Sequence, residues 1–296
     1  MEKKKIKQSF GDRFFNIIIL VFVLSFAFVC LFPFLNTFAN AFSDNHAIMS
    51  GKVTIYPIGF QLDALKFVVN NSAVIKSLVV TIFVTVFGTA LNMTLTILTA
   101  YPISRRYLRG RSQIMMFIII TMLFSGGLIP SYLLVKGLNM LDTVWSIMLP
   151  TALSTFNLII MKTFFQSVPD EVEESAKMDG CNNIRLLMTI YIPLSIPGIA
   201  TLSLFYAVYH WNNYFNPMLY ISDPDLFTLQ IKLRQILLLS RQSEILDGLS
   251  DASRAAVMEE SLKSAVVIFS MLPILCVYPW LQKYFVKGVM IGAVKG

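Results

Sequence analysis

The segment Ser167-Val168-Pro169-Asp170-Glu171-Val172-Glu173-Glu174-Ser175-Ala176-Lys177-Met178-Asp179-Gly180, continued to Pro193, is a polar island between two long apolar runs. Ser167 reads as a helix cap, with Asp170 three residues on as in a capping box and Pro169 tolerated in the first turn. Asp170, Glu171, Glu173 and Glu174 set negative charge at the positive end of the helix dipole, and Lys177 follows Glu173 by four positions. Gly180 supplies a stop. A second helical stretch, Asn182 to Tyr191, has Ile184, Leu187 and Ile190 on one face and ends at Pro193, where the next apolar run begins. The spacing describes a helix, turn, helix elbow, with small Ser175 and Ala176 giving close access to a groove of another protein. By local features alone, the commoner explanation is an ordinary solvated loop helix.

What surrounds the island decides the solvent. Of the 296 residues, 56% are hydrophobic and 14% charged, against roughly 25% charged in ordinary soluble domains. Six segments, about 14 to 36, 77 to 101, 113 to 135, 143 to 164, 191 to 215 and 264 to 285, are long and apolar enough to span a bilayer. Lipid offers the backbone no hydrogen-bond partners, so these are expected as helices, with kinks and close contacts at Pro33, Gly88, Gly126, Gly127, Pro130, Pro150, Pro193, Pro197, Pro273 and Pro279. The fold class is an all-α polytopic membrane protein, with residues 1–13 leading into a six-helix transmembrane domain at 14–285 and a tail at 286–296.

Orientation follows from Lys and Arg near the span ends. With both termini in the cytoplasm, 15 of the 24 basic residues lie inside, including Lys3, Lys4, Lys5, Lys7 and the Arg105, Arg106, Arg109, Arg111 cluster. That cluster therefore reads as a topology signal at a membrane face, not as a nucleic-acid patch. The island 167–193 falls on the cytoplasmic side, and segments 37–76 and 216–263 fall outside. The outer segments carry an amphipathic stretch from Leu62 to Val69 and an interfacial helix from Leu226 to Leu239. Ala39-Asn40-Ala41 resembles a signal-peptidase site, but the run before it is too long for a signal peptide and five more spans follow, so no cleavage is expected.

Chemistry-bearing motifs are sparse. Cys30, Cys181 and Cys276 are far apart, without CxxC or a nearby His cluster, which suggests neither a disulfide framework nor a zinc site. There is no GxxxxGK[ST] loop, no HExxH and no GxSxG, and His46 and His210 are the only histidines. An enzymatic role is not expected, and ATP must bind elsewhere.

Glu174-Ser175-Ala176, Gly180 after three further residues, Ile190 after nine more, then Ile192-Pro193 resemble the EAA motif of permease subunits from binding-protein-dependent ABC importers. The sequence departs from that pattern at Ser175 and Ile192, both conservatively. A second resemblance covers Tyr278 to Gly288 and Gly292 to Gly296, which are similar to the carbohydrate class of these permeases, especially the subgroup importing complex oligosaccharides or polysaccharide fragments. The resemblance implies the type I importer permease fold in a bacterial cytoplasmic membrane. It implies pairing with a second permease, docking on two ATPase subunits that bind ATP and Mg, and delivery of a sugar by an extracellular binding protein. It assigns ATPase coupling to Glu174, Ser175, Ala176, Asp179, Gly180, Ile190 and Pro193, and brings the tail from Lys287 towards the ATPase pair. A basic tail lying on anionic lipid is the competing reading of that tail.

Substrate contacts are harder to place. Tyr206, Tyr209, His210, Trp211, Asn212, Asn213 and Tyr214 join aromatic faces to amides, a mixture suited to sugar rings, yet Trp and Tyr at a span end also form interfacial belts. Asn157, Asn92 and Thr155 are polar within spans, where helix-to-helix hydrogen bonding competes with a pathway role. The alternative function is an autonomous secondary transporter or channel, which predicts ionisable residues inside the spans; these spans are nearly free of them.

Overall fold

The computed structural model describes residues 10–124, 126–246 and 260–277, and every regular element among them is helical. Lys3 to Lys7, most of the polar stretch before Glu260, the last span beyond Val277 and the C-terminal motif lie outside the described residues. The chain forms two compact units, residues 1–70 with 236–271 and residues 71–235 with 272–296.

In the first unit, α1 (Phe10–Ala41) contains the expected first span and continues past it. Its large side chains from Phe14 to Phe34 are exposed almost throughout, as a lipid-facing helix requires. Beyond it the chain turns through α2 (Asn45–Met49) to α3 (Asp63–Asn70), which falls where the amphipathic stretch was expected. Side chains fix this turn: Asn36 Nδ2 donates to the Thr54 carbonyl at 2.9 Å, the Ile58 N–H donates to Ser43 Oγ at 3.0 Å, and Phe42 stacks on Phe60. Ser261 Oγ, at the start of the last helix (Glu260–Val277), donates to Asn45 Oδ1 at 2.7 Å.

The second unit is built around α4 (Ser72–Ser104), started by Asn71, whose side chain accepts from the N–H groups of Ala73 and Val74. One stripe of α4 is small or polar and buried: Ser77, Thr81, Val84, Gly88, Asn92, Thr96, Ala100 and Ser104. Small residues let helix backbones approach, and polar ones bond across, which replaces the hydrophobic drive that lipid removes. The partners are α8 (Thr155–Gln166) and α12 (Ile196–Asn212). On α12 the matching stripe runs Gly198, Leu202, Tyr206, His210 at four-residue intervals. Thr96 Oγ1 and Tyr206 OH share a hydrogen bond at 2.8 Å, and one turn pair further on the His210 ring lies against Gly88.

Three expected spans are not continuous helices: the third, the fourth and, by a bend at Ser195, the fifth. The run 113 to 135 divides into α5 (Arg111–Leu123) and α6 (Leu128–Gly137), separated by the Gly126-Gly127 pair. The run 143 to 164 divides into α7 (Trp145–Met148) and α8, where Pro150 removes a backbone donor. The second break is held by side chains: Asn92 Nδ2 donates to the Thr151 carbonyl at 3.1 Å, and the Ser154 N–H donates to Tyr206 OH at 3.2 Å. Irregular backbone at membrane depth needs such partners. Among the described residues three helices are long and apolar enough to cross a membrane, or up to five when each bent pair counts as one span.

The α4 to α12 contact depends on the missing side chain of Gly88, because a Cβ there would stand 2.7 Å from His210 Nε2. Gly88→Ala is expected to force the helices apart and cost about 1–3 kcal/mol. Thermal unfolding in detergent will show a lowered midpoint, recovered in part by adding His210→Ala; an unchanged midpoint for Gly88→Ala alone contradicts this packing.

Candidate functional site

The polar island forms α9 (Asp170–Met178), α10 (Asn183–Leu186), a π turn at Leu187–Tyr191 and α11 (Ile192–Leu194). Its first cap differs from the sequence expectation. Ser167 does not start α9: its Oγ donates to the Phe164 carbonyl and closes the end of α8, and Pro169 stands at the N-cap with no side-chain bond. With α8 ending at Gln166, Ser167 falls in its last turn, and the carbonyls left free there claim the hydroxyl. The stop is as expected. Gly180 has φ +79°, the Gly180 N–H donates to the Lys177 carbonyl and the Cys181 N–H to the Ala176 carbonyl, each at 3.0 Å. This is the paired C-terminal closure that a left-handed residue permits. Asn182 then caps α10 by accepting from the Arg185 N–H at 2.8 Å.

The second arm also departs from a plain helix. It passes through Pro193 to Leu194 and bends by 82° into α12 at Ser195. Pro193 has no N–H to bond the fourth residue back, and the widened π turn lies just before it. That shift of register buries Leu186, Leu187 and Tyr191 and leaves Ile190 half-buried, while Ile184 is exposed instead of sharing their face. Ala176 turns into the chain's own core beside Leu186 and Phe165, so of the two small residues only Ser175 is exposed. Glu174, Asp179, Gly180 and Pro193 are exposed as well.

The elbow is tied to the helices by a buried charge that local sequence did not single out. Arg105, at the end of α4, is only 4% exposed. Its Nη1 donates to Glu173 Oε2 at 2.6 Å and to Tyr191 OH, its Nη2 to the Phe165 carbonyl at 2.9 Å, and its Nε to Ser104 Oγ at 2.9 Å. Tyr191 OH donates to the same Glu173 oxygen at 2.9 Å, and Lys177 Nζ sits 2.7 Å from Oε1. The guanidinium lies 4.2 Å from the Tyr191 ring centre, and Tyr101, Phe165 and Tyr191 meet edge to face around it. One side chain thus fastens α4, α8, α9 and the π turn together.

Burial pushes the Glu173 carboxyl up, but hydrogen bonds from Lys177, Tyr191 and Arg105, with the Arg105 charge, outweigh it and hold the group below the ordinary glutamate range. The ionised carboxylate therefore contributes fully at neutral pH, and its contribution is lost only as pH falls through that depressed value. An outer layer is weaker: Arg106 pairs with Asp170 at 3.2 Å in the open, and Lys177 lies over the Tyr107 ring at 4.4 Å.

The residues considered for substrate contact separate into two sets. Tyr206, His210 and Trp211 are buried, as is Asn157. Tyr206 is committed to Thr96 and Ser154, and neither His210 nitrogen makes a well-formed hydrogen bond among the described residues. Asn157 gives its N–H to the Ser154 cap. Tyr209 and Asn212 are exposed and Asn213 is half-buried. Asn92 joins α4 to the break before α8, and Thr155 Oγ1 reaches the Ile118 carbonyl only at 3.5 Å.

Apolar helices packed through small and polar stripes, with a clamped polar elbow at one end, define a membrane transport subunit. The chain belongs to the family of binding-protein-dependent transport system inner membrane components, whose family model matches residues 92–291. It is 45% identical over 286 residues to the polygalacturonan/rhamnogalacturonan transport system permease protein YtcP of Bacillus subtilis, covering 96% of this chain and 99% of that protein. It is 44% identical to the protein LplC of the same organism, over 97% of this chain and 96% of that one. Among solved structures it resembles, with TM-score 0.84 and 31% identity over 95% of this chain and 100% of the other, a bacterial ABC transporter involved in import of the acidic polysaccharide alginate. The chain is thus the membrane-embedded, non-catalytic permease subunit of an ABC importer, and ATP hydrolysis belongs to separate subunits.

Removing Arg105 takes a buried partner from Glu173 and leaves the more exposed Lys177 as its counter-charge, so the cost falls near the lower end of the roughly 3–5 kcal/mol for breaking a buried pair. For Arg105→Ala, backbone hydrogen exchange at neutral pH is expected to accelerate across 170–191 while the core of α4 stays protected; protection equal to the unaltered protein contradicts the clamp.

Proposed function

We propose that this permease imports oligosaccharides, specifically fragments of acidic polysaccharides, and that its elbow 167–193 receives the stroke of the ATPase. The substrate class is supported by the polygalacturonan/rhamnogalacturonan and alginate systems to which the chain is similar over nearly its whole length. The mechanical role is supported chiefly by the Arg105 clamp, which makes the elbow continuous with α4 and α8.

In this reading six spans place both termini inside the cell, with α5 and α6 as one bent span and α7 with α8 as another. Segments 37–76 and 216–263 face outwards. Two such permeases, this one and a second, enclose the pathway in the bacterial cytoplasmic membrane; two ATPase subunits bind ATP and Mg below, and an extracellular sugar-binding protein delivers substrate above. Glu174, Ser175, Asp179 and Gly180 present the exposed side of the elbow to the ATPase, joined by Met178, which is 89% exposed. Ala176 and Ile190 act from inside, keeping the elbow seated on its own core. Pro193 passes the movement to α12 through the bend at Ser195. Closure of the ATPase pair then moves elbow and helices as one body, in the alternating-access manner.

Gly180 has nothing within 4 Å of a Cβ, so a substitution there acts through its φ of +79° alone. Gly180→Val is expected to strain the turn by about 1–3 kcal/mol and to uncouple hydrolysis from transport. Sugar-stimulated ATP hydrolysis and uptake by the reconstituted complex measure this; normal coupled uptake by Gly180→Val removes the elbow from the mechanism.

A further inference from the structure

The end of α12, the short α13 (Phe215–Tyr220) and the start of α14 (Leu229–Leu246) hold a group of side chains that neither the clamp nor the helix packing uses. Gln230 and Arg234, four residues apart, share a face of α14. Gln230 Nε2 donates to the Trp211 carbonyl at 3.3 Å, which fixes that face against the end of α12. Arg234 is exposed, and its guanidinium carbon lies 4.5 Å from the centre of the Tyr214 ring. It forms no ion pair among the described residues, whereas Lys76 and Asp225 of the same unit pair with each other at 2.7 Å. The same stretch carries sugar-compatible polar groups: Asn216 Nδ2 donates to Tyr209 OH at 3.3 Å, the Asn216 N–H donates to Asn213 Oδ1 at 3.3 Å, and Asn213 Nδ2 is buried with no hydrogen-bond partner among the described residues.

A guanidinium lying over an aromatic ring keeps the N–H groups at its edge free, and that edge matches the two oxygens of a carboxylate. On the segment that carries Tyr214 stand an exposed Tyr209 ring and the Asn216 amide, groups that suit a sugar ring and its hydroxyls. Charge placement points the same way, since Arg234 lies in the segment assigned to the outer face, where the positive-inside rule gives a cation no topological role.

We infer that Arg234, positioned by Tyr214, is a specificity-determining residue that binds the carboxylate of a uronic-acid unit, with Tyr209 and Asn216 contacting the adjoining hydroxyls. The inference rests on the proposed import of acidic oligosaccharides and assigns its charge recognition to this chain.

The test is initial uptake by proteoliposomes holding the complete transporter, supplied with its binding protein and with either oligogalacturonate or its methyl ester. For Arg234→Gln, the acid-to-ester ratio of uptake efficiency is expected to fall about tenfold or more, the size of one lost charge-assisted hydrogen bond. Arg234→Lys, which keeps the charge without the fork, falls between; should Arg234→Gln fail to assemble, the ratio for Arg234→Lys against the unaltered complex decides. An unchanged ratio, or equal loss for both sugars, overturns the assignment. The measurement is repeated in phosphatidylcholine vesicles with and without phosphatidylglycerol, and an effect confined to the anionic vesicles makes Arg234 a lipid contact and also overturns it. If the unaltered complex takes up the ester but not the acid, this inference fails while sugar import stands; if it takes up neither, the proposed function itself fails.

Discussion

A guanidinium drawn out of water must find acceptors for its N–H groups within the protein, and Arg105 finds them on three other segments of the chain. Glu173 comes from α9, the Phe165 carbonyl from the end of α8, and the Tyr191 hydroxyl from the π turn. Each of these elements is short and would be marginal alone. Joined through one buried cation they form a unit whose parts cannot separate without exposing an unpaired charge to an apolar surrounding. The aromatic rings of Tyr101, Phe165 and Tyr191 exclude water from the pair and keep it strong. In the coupling role proposed for the elbow, the clamp is what joins Met178 and Asp179 to α4 without a free joint.

The same economy of polar groups runs up the membrane portion. Asn92 and Tyr206 bond the interrupted backbone between α7 and α8, and Thr96 holds the Tyr206 hydroxyl, so a break that lipid alone would penalise is held inside the helix cluster. Gly88 and His210 set how near α12 lies to α4, and the bend at Ser195 connects that pair to the clamped elbow. The clamped elbow and the close packing along α4 are therefore joined through α12.

Much of this was legible in the sequence because it depends on neighbours in the chain. The first, second and fifth apolar runs, the helix from Asp170, its stop at Gly180 and the amphipathic α3 all follow from local periodicity and turn chemistry. What local pattern lacked was the long-range partner. Arg105 read as one of four basic residues marking a membrane face, and Glu173 as one of four acids at a helix start, because 68 residues separate them. Ser167 has the chemistry of a cap for either α8 or α9, and only the length of α8 decides which. Ala176 was assigned outwards because small residues permit contact on either face, and the burial of Leu186 and Phe165 beside it shows which face won. The one local clue to the clamp is Tyr191, a hydroxyl in an otherwise apolar approach to a span, which needs a partner when buried.

The central claim is that elbow and α4 move as one rigid body. Spin labels at the exposed positions 86 on α4 and 179 on the elbow, in a cysteine-free background of the assembled transporter, report the distance between them by pulsed electron resonance. The account predicts one narrow distribution that is the same without nucleotide and with ATP trapped; a shift or a broadening on ATP binding would mean that the elbow flexes on its own, and would contradict it.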